Sequence, residues 1–467
     1  MRKKISAKIL VLVGVLFAAG AAGIIMGMIL INSLKKVDNK VSASLERLST
    51  GYKINKAADD SAGMAISNKM RTQIRALDQA SRNSADGDSI IQTAEGAMSE
   101  IENILQRIRE LGVQAANGTL ALEDRKAVQD EVDELMDEVD RIADTTQFNG
   151  KGLLDGSASR TVMTNTLSIH AISASMDVPR NDYEITIDAM PEAAKAQLDY
   201  TIPSTISING YSLEITDEYD DTSVRKKIID MCDAMNIDVS GPDGSLTLTT
   251  RATGANQKIS VRSAGANDET VIYGKDAKIT LGTQFTPADG FSYKANGAGI
   301  VIIGNDGFEM QIDVTDAKAG DSGIVRVEDA GYMVLQIGAN EHQTLEMDFK
   351  EVSCQSLFLR NKEGVNQINA CTQEGATELL KVLDDAIDKI SAARSTLGAY
   401  QNRLDATRES LDVSEENLTD AMSRIMDTDM ASEMTEYTSN NVLSQAATSM
   451  LSQANNRPQQ IMSLLQS

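Results

Sequence analysis

Residues 90–115 read IIQTAEGAMSEIENILQRIRELGVQA. In that stretch Ile90, Ala94, Ala97, Ile101, Ile104, Ile108, Leu111 and Ala115 recur at alternating steps of four and three, the spacing that sets them on one face of an α-helix. A helix carrying such a stripe gains most of its stability from whatever covers the stripe. A second series runs through Leu383, Ala386, Ile390, Ala393, Leu397, Tyr400, Leu404, Thr407, Leu411, Ser414, Leu418, Ala421 and Ile425. Two arrangements satisfy both seams: the two ends of the chain pack together in one bundle, or each seam builds a homodimeric coiled coil.

Between the seams, from about Gly156 to Phe349, the pattern changes to strands and turns. In Ile206-Ser-Ile208-Asn209-Gly210-Tyr211-Ser-Leu213-Glu-Ile215 apolar residues alternate on both sides of Asn-Gly, whose tolerance of positive φ suits a two-residue hairpin turn. Tyr183, Ile185 and Ile187, then Leu246 and Leu248, then Ile300 to Ile303 followed by Gly304-Asn-Asp-Gly307, give further strand signals, with one helix expected from Ser223 to Met235. The expected fold is mainly α, a long coiled-coil-like helical bundle made from paired N- and C-terminal regions, with a β-rich inserted domain. The corresponding segments are a basic start and apolar helix at 1–36, an N-terminal helical region at 37–155, the insert at 156–349 and a C-terminal helical region at 350–467.

Ile9 to Ile31 is an uncharged run of apolar and small residues preceded by Arg2, Lys3, Lys4 and Lys8. As a helix it is long enough to cross a bilayer and longer than the apolar core of a cleavable signal peptide, so an uncleaved membrane anchor through residues 9–31 is the expectation there. Lysines at 35, 36 and 40 follow the run, so charge flanks it on both sides and sets its orientation only weakly.

Composition excludes several functions. Sixty-eight acidic residues against forty-four basic ones give a net charge of −24, a field that repels nucleic-acid phosphates. Aromatic residues make up 4% and Trp is missing, a thin supply for an aromatic-lined ligand pocket. Cys232, Cys354 and Cys371 are far apart and odd in number, and His170 and His342 form no HExxH, so neither a disulfide framework nor a zinc motif is offered. No phosphate loop, nucleophile elbow or calcium loop is present either, and no cofactor is expected. The acid-rich stretch Asp130 to Asp140 carries Val132, Leu135 and Val139 at helical spacing, which marks it as a solvated helix face.

Leu45-Glu-Arg-Leu-Ser-Thr-Gly51-Tyr-Lys-Ile-Asn55, continuing through Ala57-Ala-Asp59-Asp60-Ser-Ala-Gly63, strongly resembles the N-terminal signature of bacterial flagellins. Gln79-Ala-Ser-Arg-Asn83, Asp86-Gly87, Gln92 to Ala97, Leu105 to Leu111 and Thr146-Gln-Phe-Asn-Gly150 follow in the order and spacing of that family. The other end is similar to the flagellin C-terminus through Arg394 to Leu404, Ser423 to Ala431, Gln453-Ala-Asn455 and Ser463 to Gln466, and Leu335 to Asn340 resembles the short strand that precedes it.

The resemblance implies a structural, non-enzymatic subunit that polymerises with itself into an extracellular flagellar filament for motility. Its terminal regions would order on assembly: inner contacts from Val41 to Ser49 and Met430 to Leu465, outer ones from Ala62 to Gln147 and Thr377 to Arg424. An export chaperone and a filament cap are implied partners. Arg107, Leu111 and Glu131 match positions read by the innate immune flagellin receptor; with Asn402, Arg403, Leu404 and Arg424 they are the candidate subunit-contact or receptor-contact residues. The apolar start, read with the same seams, leaves a second reading: a membrane-tethered flagellin-like surface or signalling protein that does not polymerise.

Overall fold

The computed structural model describes the backbone of residues 2–466 apart from 217–218, 267, 286–289 and 305–306, and the side chains of residues 25–456 with the same exceptions. The described residues contain six α-helices: α1 (Arg2–Thr50), α2 (Ser61–Ala115), α3 (Leu122–Thr145), α4 (Asp221–Asp233), α5 (Gln373–Met426) and α6 (Met430–Gln466). The chain divides into two compact units, one of Met1–Gln79 with Ser410–Ser467, the other Ala80–Glu409.

In the second unit the two seams meet inside one chain. Ile91, Ala94, Met98, Ile101, Leu105 and Ile108 of α2, Val132, Met136, Val139 and Ala143 of α3, and Ala376, Leu383, Ala386 and Ile390 of α5 share one buried cluster. Ion pairs set α2 antiparallel to α5: Arg109 Nε lies 2.7 Å from Asp384 Oδ1, and Arg394 reaches Glu102 at 2.5 Å and Glu95 at 3.3 Å. The buried stripe on α2 is wider than the sequence seam. Ile91, Met98 and Leu105 are fully buried, whereas Ala97 and Ile104 are only partly covered. A seam of single-residue width serves one partner helix; α2 has two, α3 and α5, and so buries a broader face.

The β-rich region forms two separately cored lobes. The first pairs four antiparallel strands, in the order 278–281, 182–189, 322–327, 162–164, and faces them with 292–296, 299–303, 309–313 and 170–174. Its core holds Ile185, Ile187, Ile300, Ile302, Met310 and Val325, with Tyr183, Phe285, Phe291 and Phe308 tilted or edge-on at centroid separations of 4.9 to 6.0 Å. The strands 299–303 and 309–313 pair as expected, though the turn residues 305–306 lie outside the described ones.

The second lobe is inserted into the first, between strands 182–189 and 278–281, and a two-way backbone bridge from Glu192 to Lys275 (2.8 and 2.9 Å) closes its neck. It contains the expected hairpin: Ser204–Ile208 pairs with Tyr211–Ile215, and Asn209 and Gly210 take φ of 46° and 81°. Helix α4 begins two residues before the expected start because the Asp220 carboxylate accepts the Ser223 N–H and caps it.

After the first lobe, the hairpin 333–336 with 344–347 and the irregular stretch beyond it return to the helical cluster, to which they contribute Leu345, Met347, Phe349, Cys354, Leu359 and Ala370. That stretch corrects the reading of 130–140 as a fully solvated face. Arg360 reaches Asp137 (2.6 Å) and Asp140 (3.2 Å), Asn366 donates to Asp133 (2.8 Å), and the Cys354 N–H donates to Asp140 (2.7 Å). Carboxylates spaced three and four apart on α3 therefore dock a segment that lacks regular hydrogen bonding of its own. The three cysteines are buried free thiols, each held above its ordinary pKa first by burial.

Of the expected membrane anchor at 9–31, the side chains of residues 9–24 lie outside the described ones. Among the described residues no helix is long and apolar enough to cross a membrane.

Candidate functional site

The first unit is built on a tight turn whose residues each answer a local need. Helix α1 stops at Gly51, which takes φ of 77° and returns its N–H to the Arg47 carbonyl at 2.8 Å. Beyond it the Asp59 carboxylate accepts the Lys56 and Asn55 N–H groups at 2.9 and 3.0 Å; these two bonds, in that order, hold its pKa below the ordinary value. Asp60 caps α2 by accepting the Ala62 and Gly63 N–H groups at 3.0 and 2.9 Å. A Cβ on Gly63 would stand 2.5 Å from that carboxylate and 2.8 Å from Ile54 Cδ1. Thus the Asp-Asp-Ser-Ala-Gly part of the signature encodes a helix start with no room above it.

The same turn ties the two ends of the chain together. Tyr52 bridges to Asp427, the Lys53 N–H donates to the Met426 carbonyl (2.7 Å), the Thr428 N–H donates to the Gly51 carbonyl (2.9 Å), and Lys53 Nζ donates to the Arg424 carbonyl (2.8 Å). At the break between α5 and α6, Asp429 caps α6 through the Ala431 and Ser432 N–H groups. From this anchor α1 and α6 run side by side and antiparallel, marked by Arg47 with Glu433 (3.5 Å) and Ser444 with Asp38 (2.7 Å).

The few side chains that this pair buries fully are polar. Among the described residues of α1 and α6 only Ser44, Glu433 and Asn440 are buried, while Ile25, Met26, Met28, Ile29, Ile31, Leu45, Met430, Met434, Val442, Leu443 and Met450 stand exposed. Toward its end α5 continues the trend, since Ser414 is exposed and Leu418, Ala421 and Ile425 are only half-buried. Leu30, Leu34, Val37, Val41 and Leu48 of α1 are half-buried, so the two helices cover part of their apolar surface and leave the rest for another molecule.

The seven candidate contact residues divide by burial. Arg107 is exposed on α2, paired to Glu131 of α3 at 2.9 Å and to Glu110 at 3.2 Å; hydrogen bonding to Glu131 is the first cause raising its pKa. Asn402, Arg403 and Arg424 are exposed, and Leu111 and Leu404 are buried in the helical cluster. The structure brings Arg107 and Glu131 together; it places Asn402, Arg403 and Arg424 on α5. Sequence reading missed the Arg360 knot because its partners lie more than two hundred residues upstream, with no periodicity to announce them. No group of His, Cys, Asp or Glu suited to a metal ion occurs among the described residues.

Comparison with known proteins fits these observations. Residues 24–159 match the bacterial flagellin N-terminal helical region and residues 380–465 the bacterial flagellin C-terminal helical region. Over 433 residues the chain is 36% identical to a flagellin of Clostridium tyrobutyricum, covering 92% of this chain and 97% of that protein. It is 34% identical over 440 residues to a flagellin of Bacillus subtilis, covering 93% and 97%, and 32% identical over 424 residues to flagellin B of Vibrio anguillarum, covering 90% and 93%. The chain belongs to the bacterial flagellin family, whose members are structural proteins of the flagellar filament and not enzymes.

Proposed function

We propose that the outward faces of α1 and α6 are the surface through which copies of this chain join into the extracellular filament. The observation that carries the reading is the apolar surface left exposed on that pair, Ile25, Met28, Ile29, Leu443 and Met450 among it, with no apolar side chain fully buried among the described residues of either helix. Clustered exposed apolar side chains of this kind mark a surface that another molecule covers. Contacts between different patches on successive copies generate an open filament wherever the rotation from copy to copy does not close into a ring.

Arg107, Glu131, Asn402, Arg403 and Arg424 supply exposed polar contacts in this reading, with Leu111 and Leu404 setting the helices that present them. An export chaperone, a filament cap and an innate immune receptor reading the surface around Arg107, Leu111 and Glu131 are partners supported by family resemblance. A bilayer contact through residues 9–31 finds no support among the described residues.

The test is seeded polymerisation: purified chain is added to sheared filament fragments and the pelleted fraction is measured. Val442→Asp with Leu443→Asp, which places charge on the exposed face without opening a core, is expected to abolish incorporation while circular dichroism is retained. Incorporation of that variant at the parent's rate would refute the assignment.

A further inference from the structure

We propose that the methionines on the outward faces of α1 and α6 form an oxidative modification site, at which peroxide converts the thioethers of the free subunit to sulfoxides and so prevents its assembly. The inference rests on the assembly reading above and adds a means of regulating that surface.

Met26, Met28 and Met450 are 59%, 63% and 61% exposed, and Met430 and Met434 about half exposed, so five thioether sulfurs stand open on one pair of helices. By contrast Met98, Met136, Met310 and Met347 are fully buried in the helical and first-lobe cores. Among the described residues two exposed methionines lie elsewhere, Met163 and Met190 in the first lobe. Exposure governs access of a small oxidant, so the assembly face and those two lobe positions react first and the cores last.

The step is a two-electron oxygen transfer. A sulfur lone pair attacks one peroxide oxygen, the S–O bond forms as the O–O bond breaks, and the departing oxygen takes a proton to leave as water; sulfur is oxidised and peroxide reduced. The product is a flexible apolar side chain turned into a polar one with a strong hydrogen-bond acceptor. On a face that must be desolvated against another copy, each such acceptor without a donor opposite it opposes binding. Leucine in these positions would present similar volume without this chemistry. Once subunits have joined, the same sulfurs are covered, so the sensitivity belongs to the free chain.

The experiment treats the full-length free chain with hydrogen peroxide, maps sulfoxides by peptide mass spectrometry, and measures addition to sheared filament seeds. Expected are sulfoxides at Met26, Met28, Met430, Met434, Met450, Met163 and Met190 before any core methionine, at least a tenfold loss of incorporation, and its recovery after treatment with methionine sulfoxide reductases. A variant carrying M26L, M28L, M430L, M434L and M450L is expected to keep its own untreated incorporation after peroxide, even with Met163 and Met190 oxidised. Full incorporation of the oxidised parent, or failure of the reductases to restore it once the sulfoxides are removed, overturns the proposal. Untreated parent that cannot add to seeds would instead remove the assembly reading on which it stands.

Discussion

At the scale of single residues, two buried polar groups show how the second unit fixes its geometry. Arg125, buried near the start of α3, donates through Nε to the Ala115 carbonyl and through Nη2 to the Asn117 carbonyl, both at 2.8 Å, and through Nη1 to the Tyr211 hydroxyl of the second lobe. One planar fork thus closes the end of α2 and holds a hairpin tip. Arg125→Ala is expected to cost about 2–4 kcal/mol in urea unfolding because it strands two carbonyls, and Arg125→Lys to recover little, since one ammonium cannot span the three acceptors. A lysine variant as stable as the parent would refute the fork. Asp348 is the second case: burial pushes its carboxyl up from 3.8 to about 6 against the opposing pull of the Arg160 N–H and of the Lys350 and Arg160 charges. The folded chain holds this proton more tightly than the unfolded chain, so stability falls as pH rises from about 4 to about 6. Asp348→Asn keeps an acceptor for the Arg160 N–H and removes the charge. The variant should therefore gain on the parent by about 2–3 kcal/mol across that window, at 1.36 kcal/mol per unit. Parallel stability curves from pH 4 to 6.5 would show that Asp348 carries no such penalty.

At the scale of elements, the helices of the two units differ in what sustains them. Those of the second unit are anchored by fully buried Ile101, Leu105, Val132 and Leu383, while α1 and α6 bury no apolar side chain fully among the described residues, Leu30, Leu34, Val37 and Val41 being half-buried. Helices without such support open at low free-energy cost. Hydrogen exchange on the free subunit should therefore find the amides of 25–48 and 432–456 exchanging at least a hundredfold faster than those of 91–111 and 379–404. Equal protection in all four segments would mean that the α1 and α6 pair is stable by itself and that assembly does not complete it. The periodicity of 90–115 announced the α2 helix, and Asn209-Gly210 announced its hairpin, because period and turn chemistry are local. The broader burial of α2 was hidden, since a stripe of Ile91, Met98 and Leu105 beside the seam reads as peripheral until a second partner helix is known. The assembly face was hidden for a related reason: a sequence stripe shows that a residue is apolar, not whether its own chain covers it.

At the scale of the whole molecule, the β-rich region was legible as strands and opaque as architecture. The alternation at 183–187 and 206–215 is the same in both lobes, 300–303 is an unbroken apolar run, and nothing local marks Met190 and Ala277 as the two sides of one neck. Only the pairing of 182–189 with 278–281 and the Glu192 to Lys275 bridge disclose that the chain leaves the first lobe and returns to the same place. That closure makes the second lobe separable. Its core of Leu198, Ile206, Val224, Ile228, Leu246 and Ile259 comes from the lobe itself, and apart from Leu122 of α3, which packs against that core, its ties to the helical region include Arg125 with Tyr211, Lys258 with Glu374, and Asn369 donating to the Met235 carbonyl at 2.8 Å. Deleting residues 193–274 and joining the neck with two glycines removes those ties without opening the first lobe or the helical cluster, because loop closure across so short a gap costs little. The shortened chain is expected to lose several degrees of thermal stability from the freed polar groups around Arg125, to keep its helical signal, and to add to filament seeds at close to the parent's extent. A shortened chain that folds but does not assemble would place part of the subunit contact in the second lobe, and the apolar faces of α1 and α6 would then be necessary for the filament without being sufficient.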